Sequence, residues 1–402
     1  MKRIAIFCDG TWSEADAKHP TNVYMLSREV AAVASGNIKQ EVLYFAGVGT
    51  GRGPDWLSQK IDKIGGGAFG WGLMANVVEA YESLAKIYRP GDHIYIFGFS
   101  RGAFTARSLA GLIRSSNIPP KDGLEQVDAA VKRYKSKDAT THPRADESFA
   151  YRYSVNPALI TEPRENDWRR KNKLPEGTLI STRYIGVWDT VGALGIPSVF
   201  GDLAKLWNSK YQFHDTDLSS SIHAARHAVS VDEKRRTFVP TLWQNLPRLN
   251  KGLSQSNHRY LEQWFAGDHN SVGGGGDIKG LSNSAFLWIA EGAEKDGLDF
   301  RPGVMPHYRK GVDVQASLYA DVDYKTNFFK RLAGLGERDR EGPIDMNDVS
   351  KAAQDRWATA NPPYRPVPLN CVAAQMKPLG GRAGCDCTSK CKRLSAKEAL
   401  SP

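Results

Sequence analysis

The stretch Gly98-Phe99-Ser100-Arg101-Gly102 decides the fold of this chain, because it is a G-x-S-x-G motif between two contrasting segments. The apolar residues 94–97 before it are typical of a buried strand, and the alanine- and leucine-rich residues 103–113 after it are typical of a helix. Strand, tight turn and helix together predict a nucleophile elbow, which projects the Ser100 hydroxyl from the end of a strand. The two glycines prevent clashes in the strained backbone that such a serine adopts. A chance match is the alternative, and the flanking segments favour the elbow.

The composition is that of a globular enzyme. The chain has 402 residues, of which 41% are hydrophobic and 24% are charged, so one large domain or two smaller ones can bury a core. No apolar run reaches the roughly 18 residues that a membrane-spanning helix needs. The apolar part of residues 1–9 is too short for a signal peptide. We therefore interpret these residues as the first strand and expect a cytoplasmic protein.

The net charge of +10, from 54 Lys and Arg against 44 Asp and Glu, is concentrated in short basic runs. These runs are residues 132–137, 169–173 and 390–393. None of them belongs to a helix-turn-helix, a zinc finger or another nucleic-acid-binding motif, so we expect no nucleic acid as a partner. A solvated basic surface is the favoured interpretation, and an anionic membrane surface or another polyanion is the alternative partner.

Strands and helices alternate along the chain, which is typical of an α/β fold with a mostly parallel sheet flanked by helices. Strands are predicted at residues 3–8, 41–46, 93–99, 181–188, 237–243 and 260–265. The clearest helix precedes the elbow, where Leu73, Val77, Tyr81 and Leu84 recur at helical spacing. Pro90 and Gly91 end this pattern.

We predict a catalytic domain over residues 1–300, with two departures from the regular alternation. Residues 117–180 are polar and rich in Pro, Lys and Arg, and are interpreted as an insertion. The irregular, apolar residues 196–222 are interpreted as a lid or acyl pocket, with ordinary core packing as the alternative. Residues 301–360 are expected to be an irregular extension that packs on the core, and residues 361–402 a tail rich in Pro, Cys and Lys.

An elbow serine needs a histidine as its base. In hydrolases with this elbow the chain order is serine, acid, histidine, which disfavours His19 and His93. His142 lies in the polar insertion. The remaining candidates are His214, His223, His227, His258, His269 and His307. His269 is favoured because it follows a predicted strand and precedes a run of glycines, which let the backbone approach the serine. His223 and His227 are expected on one face of a helix, where they pack or pair with Asp232 or Glu233.

The acid that orients the histidine should stand at the end of a strand. Asp189 does so, after the predicted strand 181–188, and capping of the following turn is its alternative role. By order alone its competitors are Asp202, Asp215, Asp217 and Asp232, which lie in predicted loops or helices. Asp268 adjoins His269 and is too close in sequence to brace its ring easily.

Five separated motifs together resemble the α/β-hydrolase domain family of unknown function 2235, which includes class 1 lipase effectors of type VI secretion. They are Cys8-Asp9-Gly10-Thr11-Trp12, the elbow, Val187-Trp188-Asp189-Thr190-Val191-Gly192, the segment from Ala225 to Arg236 and the glycine loop at His269. The resemblance covers roughly residues 2–286. It implies an α/β-hydrolase core and a triad of Ser100, Asp189 and His269. Through its effector members it also suggests non-Sec export, with an immunity or secretion-apparatus protein as a partner.

The expected reaction is ester cleavage by acyl transfer, with lipids and phospholipids as the leading substrates and no cofactor. The backbone amide of Arg101 should form half of the oxyanion hole, and Gly10 and Thr11, after the first strand, the other half. The alternative is a non-catalytic binding or regulatory protein on a hydrolase scaffold, which recognises a polyanion or a protein partner.

Four of the five cysteines lie near the C-terminus, namely Cys371, Cys385, Cys387 and Cys391. Thiols at this density suit a soft metal such as zinc. Their spacing matches no standard zinc module, so a reduced and partly disordered tail is favoured and no metal is assigned.

Overall fold

A seven-stranded, mostly parallel sheet forms the centre of the molecule. The computed structural model describes residues 1–10, 17–47, 68–191, 217–319 and 336–376. The strands are β1 (Arg3–Cys8), β2 (Val33–Ala34), β3 (Ile38–Phe45), β4 (His93–Phe99), β5 (Leu159–Ile160), β6 (Thr178–Leu179), β7 (Ser181–Trp188), β8 (Ile222–Ser230) and β9 (Tyr260–Phe265). The sheet order is β2-β3-β1-β4-β7-β8-β9, with β5 and β6 as a separate pair. Within the large sheet every pair is parallel except β2 with β3.

Helices cover both faces of this sheet. They are α1 (Asn22–Glu29), α2 (Ala68–Ile87), α3 (Arg101–Ser116), α4 (Val127–Tyr134), α5 (Asp146–Val155), α6 (Arg164–Lys171), α7 (Leu246–Leu249), α8 (His269–Gly273), α9 (Gly280–Lys295), α10 (Val304–Lys310) and α11 (Lys351–Thr359). Short 3-10 turns occupy Leu124–Gln126, Ala139–Thr141, Gln255–Asn257, Met346–Asp348 and Val367–Leu369. None of the helices in the described ranges has the length and apolar character that a membrane crossing requires.

Alternating side chains of the strands build two apolar cores, because successive residues of a strand point to opposite faces. In β1, Ile4 and Ile6 belong to the core beneath α2 and α3, whereas Ala5 and Phe7 belong to the core beneath α1 and α9. All four side chains are fully buried. Helix cover on both faces explains why β1 and β4 are apolar at nearly every position.

The polar insertion, residues 117–180, folds into α4, α5, α6 and the small β5-β6 sheet beside α3. Its centre is a buried ion pair in which Arg152 Nε donates to Glu165 Oε1 at 3.0 Å. Arg152 also donates to the carbonyl oxygen of Arg114 in α3. The charged composition of this insertion therefore includes buried pairs as well as solvated surface.

Residues 336–376, here called the C-terminal segment, pack against β8 and β9. Val349 and Trp357 of this segment join Val229 and Trp264 of the sheet in a third apolar cluster. The backbone of Ser350 donates to the carbonyl oxygen of Trp264 at 3.0 Å. This segment follows the predicted catalytic domain in sequence but lies against its sheet in space.

The sequence predicts most strands correctly and misplaces one. Residues 3–8, 93–99, 181–188 and 260–265 are strands as predicted, and residues 41–46 overlap β3. The strand predicted at 237–243 is wrong, since that segment is a loop with only an isolated bridge from Pro240 to Val191. Pro240 has no amide hydrogen to donate to a ladder. A helix is expected around His223 and His227, but this segment forms the strand β8. A spacing of four residues places two side chains on one face of a helix and of a strand alike.

Candidate active site

Ser100 occupies a sharp turn between β4 and α3, as the elbow motif predicts. Its φ of 57° and ψ of −122° are strained for a residue with a side chain. The turn is tight because both flanking glycines lie against backbone. A Cβ on Gly102 would come within 2.1 Å of the carbonyl oxygen of Cys8, and one on Gly98 within 2.4 Å of that of Gly102. Only glycine fits at these two positions.

The elbow stands at the point where the strand order of the sheet reverses. From β1 the chain continues to β3 on one side, whereas β4, β7, β8 and β9 follow on the other. The carboxyl end of a parallel sheet at such a switch point is where α/β folds place their ligands. Asp9 follows β1 here and is buried, accepting hydrogen bonds from Thr21 and Tyr44 at 2.7–2.9 Å.

Asp189 and His269 meet at the same edge of the sheet. Asp189 Oδ2 lies 2.5 Å from His269 Nδ1, and both residues are buried. The amide of Ser100 donates to the carbonyl oxygen of Trp188, the residue before Asp189, at 3.0 Å. The ring of Phe99, the residue before Ser100, lies 4.5 Å from the His269 ring between centroids. The structure thus brings the three predicted residues, which are up to 169 positions apart in the chain, to one edge.

The Asp189 carboxylate is surrounded by donors. Oδ1 accepts from the Ser230 amide at 2.9 Å and from Arg340 Nη1 at 2.7 Å. Oδ2 accepts from Arg340 Nη2 at 2.9 Å as well as from His269. Burial by itself would raise the pKa of Asp189, but the charge of Arg340 and the hydrogen bond from His269 outweigh it and hold that pKa well below its usual range. Asp189 is therefore ionised at neutral pH.

An ionised Asp189 fixes the tautomer of His269. The carboxylate can only accept, so Nδ1 carries the hydrogen and Nε2 keeps a lone pair. The imidazole lies between Phe99 and the edge-on ring of Phe238, whose centroid is 4.8 Å away. Burial, with a smaller contribution from the charge of Arg235, lowers the pKa of His269 below its usual value although Asp189 and Glu233 act to raise it. The ring is accordingly neutral at pH 7, in the form that accepts a proton.

Hydrogen bonds from the end of β8 and the residues after it stabilise the loop that carries His269. The Gly267 amide donates to Asp232 Oδ2 at 2.7 Å, and the Ser230 hydroxyl donates to the Gly267 carbonyl oxygen at 2.7 Å. The His269 amide donates to Glu233 Oε2 at 3.3 Å. Asp268 caps α8 through the Ser271 amide at 2.8 Å. The segment 225–236 of the family resemblance therefore supports the histidine loop.

Two of the competing histidines and one of the competing acids pair with residues other than Ser100, Asp189 and His269. His223 pairs with Asp296 at 2.6 Å and His227 with Glu262 at 2.8 Å, not with Asp232 or Glu233 as expected. The expectation failed because it assumed a helix where β8 is a strand. Asp217 is exposed and pairs with Arg248. Asp202, Asp215, His214 and nearly all of the predicted lid, residues 196–222, lie outside the described residues.

The predicted oxyanion hole is described in part. Arg101 is the first residue of α3, where backbone amides point towards the helix N-terminus. The Gly10 amide donates to Asp9 Oδ1 at 2.7 Å, and Thr11 lies outside the described residues. The Arg101 amide and these two partners stay a prediction.

Sequence reasoning missed three residues of this site, namely Glu233, Phe238 and Arg340. All three lie in loops, and Phe238 and Arg340 belong to no motif or periodic pattern. Glu233 lies inside a segment singled out for its family resemblance, which is the one signal that pointed near it. Nothing in the local sequence distinguishes Arg340 from other arginines of the chain.

The C-terminal cysteines provide no metal site among the described residues. Cys371 is disulfide-bonded, so its sulfur is not the thiolate that zinc requires. Cys385, Cys387 and Cys391 lie outside the described residues. Within the described ranges, no group of three or more His, Cys, Asp or Glu is placed to hold a metal ion.

The parallel sheet, the elbow at its switch point and the buried Asp-His pair define a protein with an α/β-hydrolase-like fold. Residues 2–292 match the model of the family described as "T6SS, Phospholipase effector Tle1-like, catalytic domain". The chain belongs to this family, and the resemblance found in the sequence is confirmed.

Three known proteins align with part of the chain. An uncharacterized protein of Saccharomyces cerevisiae is 29% identical over 192 residues, which are 47% of this chain and 24% of that protein. The chain thus matches about a quarter of that relative's length. An uncharacterized protein from Pseudomonas aeruginosa aligns over 78% of this chain and 49% of its own, with 16% identity and a TM-score of 0.39. The structure of the Tle1 effector bound to the VgrG spike aligns over 68% of this chain and 51% of its own, with 18% identity and a TM-score of 0.35.

Proposed function

We propose that this chain is a serine esterase that cleaves a carboxylic ester of a lipid, with phospholipids as the leading class, through Ser100, His269 and Asp189. The observation that carries the proposal is the 2.5 Å contact between Asp189 and His269 at the edge where the strained Ser100 stands. An ionised acid, a neutral histidine and an elbow serine are the three parts of an acyl-transfer site. The family description, which names phospholipase effectors, supports the lipid substrate.

In this mechanism His269 Nε2 takes the proton of Ser100 as the hydroxyl oxygen attacks the ester carbonyl carbon. The bond to the alcohol breaks when His269 returns that proton to the leaving oxygen, and an acyl-serine remains. Water then attacks the acyl-serine with His269 again as base, which releases the fatty acid and restores Ser100. Asp189 keeps the hydrogen on Nδ1 and stabilises the imidazolium in both steps. The amide of Arg101 at the start of α3 donates to the oxyanion.

The lowered pKa of His269 has a consequence for pH dependence. A base with a pKa below the ordinary value of about 6.5 remains deprotonated in mildly acidic solution. We therefore propose that the acidic midpoint of the pH–activity profile lies below the ordinary histidine pKa of about 6.5. Recognition by a secretion-apparatus protein is a proposal that the family description supports through its naming of an effector. Recognition by an immunity protein stays a prediction.

Ser100→Ala tests the proposed function, with Ser108→Ala as the matched control. Both serines lie at or in α3 and are nearly buried, at 5% and 2% exposure. A fluorophosphonate reacts only with an activated serine, so it should label the wild type and Ser108→Ala but not Ser100→Ala. Turnover of a short ester and of phospholipids should fall about 10⁶-fold in Ser100→Ala. An unlabelled, inert wild type would instead support a non-catalytic binding protein on a hydrolase scaffold.

A further inference from the structure

Arg340 reaches the Asp189 carboxylate from outside the family's catalytic domain. The matched region ends at residue 292, and Arg340 lies 48 positions further on. Its side chain is only 4% exposed and binds both carboxylate oxygens, at 2.7 and 2.9 Å. The same guanidinium donates to the carbonyl oxygens of Ser230, at 2.8 Å, and Phe238, at 2.6 Å. It therefore joins the ends of β7 and β8 to the loop that carries Phe238.

The C-terminal segment holds Arg340 in place on both sides. Just before it, the Arg338 amide donates to the carbonyl oxygen of Lys234 at 2.7 Å, next to a bridge between Glu337 and Arg235. Further on, the Tyr364 hydroxyl donates to Asp232 Oδ2 at 2.7 Å. The apolar cluster around Trp357 secures the same segment against β8 and β9. The segment that carries Arg340 is therefore held against the sheet by contacts other than the Arg340 side chain.

We propose that Arg340 is a positioning residue for the catalytic acid, so that the C-terminal segment completes an active site which the catalytic domain alone leaves unfinished. This inference rests on the proposed function. A planar guanidinium with two parallel hydrogen bonds prevents rotation of the carboxylate about its Cβ–Cγ bond. Oδ2 is thereby aimed at His269 Nδ1. A lysine would keep the charge but can supply only a point donor.

The charge of Arg340 also balances that of Asp189. The charged groups that act on the imidazole are Asp189 after β7, Glu233 and Arg235 after β8, and Arg340 through Asp189. Asp268 on the same helix faces the Ser271 amide, while Phe99 and Phe238 are apolar. Without Arg340 the uncompensated carboxylate would stabilise the imidazolium more strongly. The pKa of His269 would then rise, and activity would be lost at a higher pH on acidification.

The test uses Arg340→Met and Arg340→Lys in the full chain, with Arg356→Met as the matched control. Arg356 is also a buried arginine of the C-terminal segment, but it donates to the carbonyl oxygens of Val314 and Ala316 and does not contact the triad. Turnover of a short soluble ester is measured across pH and divided by the number of serines labelled by fluorophosphonate at completion. This normalisation removes the effect of unfolded protein.

Arg340→Met should lower kcat per labelled site about 100-fold, the loss typical of a catalytic group displaced by about 1 Å. Its KM should stay near that of the wild type, because Arg340 lies behind Asp189 and does not touch substrate. The acid limb of its pH profile should move to higher pH. Arg340→Lys should lose kcat with the acid limb in place, and Arg356→Met should lose stability only.

A wild-type kcat and an unshifted acid limb in Arg340→Met would overturn the proposal, as would an equal loss per site in Arg356→Met. If Arg340→Met does not fold, Arg340→Lys decides, and an unchanged kcat per site overturns the proposal. An inert wild type would overturn the proposed function together with this inference. An active wild type with unaffected Arg340 variants would overturn this inference alone.

Discussion

Asp189→Asn removes one charge and no volume from a side chain that accepts four hydrogen bonds. Each oxygen of Asp189 faces two donors, namely Ser230 and Arg340 at Oδ1 and His269 and Arg340 at Oδ2. In either orientation an asparagine would turn its NH2 group towards two N–H donors. The substitution would also leave the buried charge of Arg340 without its partner.

The substitution has two separate effects, one on the free energy of unfolding and one on turnover. Removing one partner of a buried ion pair costs about 3–5 kcal/mol in the free energy of unfolding. For turnover, His269 would lose the carboxylate that keeps the hydrogen on Nδ1, and the ring would favour the tautomer with its hydrogen on Nε2. That tautomer cannot take a proton from Ser100, and the matching loss in kcat is about 10⁴-fold.

Two assays separate these effects, with Asp296→Asn as the matched control. Asp296 also bonds a histidine, His223 Nδ1 at 2.6 Å, but His223 lies at the opposite end of β8 from Ser230. Urea titrations report stability and give the folded fraction, and short-ester turnover per folded molecule reports catalysis. Asp296→Asn should keep its turnover per folded molecule. Turnover of Asp189→Asn within tenfold of the wild type, in folded protein, would refute the assignment of the acid.

Two further predictions concern the elbow and the pH dependence of stability. Gly102→Ala should lower the free energy of unfolding by about 3 kcal/mol, because the new Cβ would lie 2.1 Å from the Cys8 carbonyl oxygen. A urea midpoint of this variant equal to that of the wild type would contradict the prediction. The pKa of Asp189 in the folded protein lies below its value of about 3.9 in the unfolded chain. The contribution of ionised Asp189 to the free energy of unfolding is therefore fully present above the unfolded pKa. It is lost as pH falls through the folded pKa. The stability gap between the wild type and Asp189→Asn should therefore shrink as pH falls below about 4; a gap that stays constant or widens below about pH 4 would be inconsistent with the depressed pKa.

The sequence by itself determined the elements whose signal is local. An apolar run, a glycine-flanked serine and an alanine-rich run suffice for β4, the elbow and α3, because the strain of the turn and the periodicity of its neighbours are short-range properties. Asp189 and His269 could be selected because each follows a strand, and parallel strands carry such positions to one edge. The same local reasoning predicted a helix where β8 is a strand, since a spacing of four residues places side chains on one face of either element.

Only the tertiary structure decided what surrounds Asp189 and His269. The ion pair between Arg340 and Asp189 joins residues 151 positions apart in the chain. The hydrogen bond from the His269 amide to Glu233 depends on how the loops after β8 and β9 pack together. Neither contact leaves a periodic or local pattern in the sequence, because each depends on which residues meet in space and not on their neighbours in the chain. The environment that sets the protonation of Asp189 and His269 is likewise a product of burial and charge contributed by distant segments.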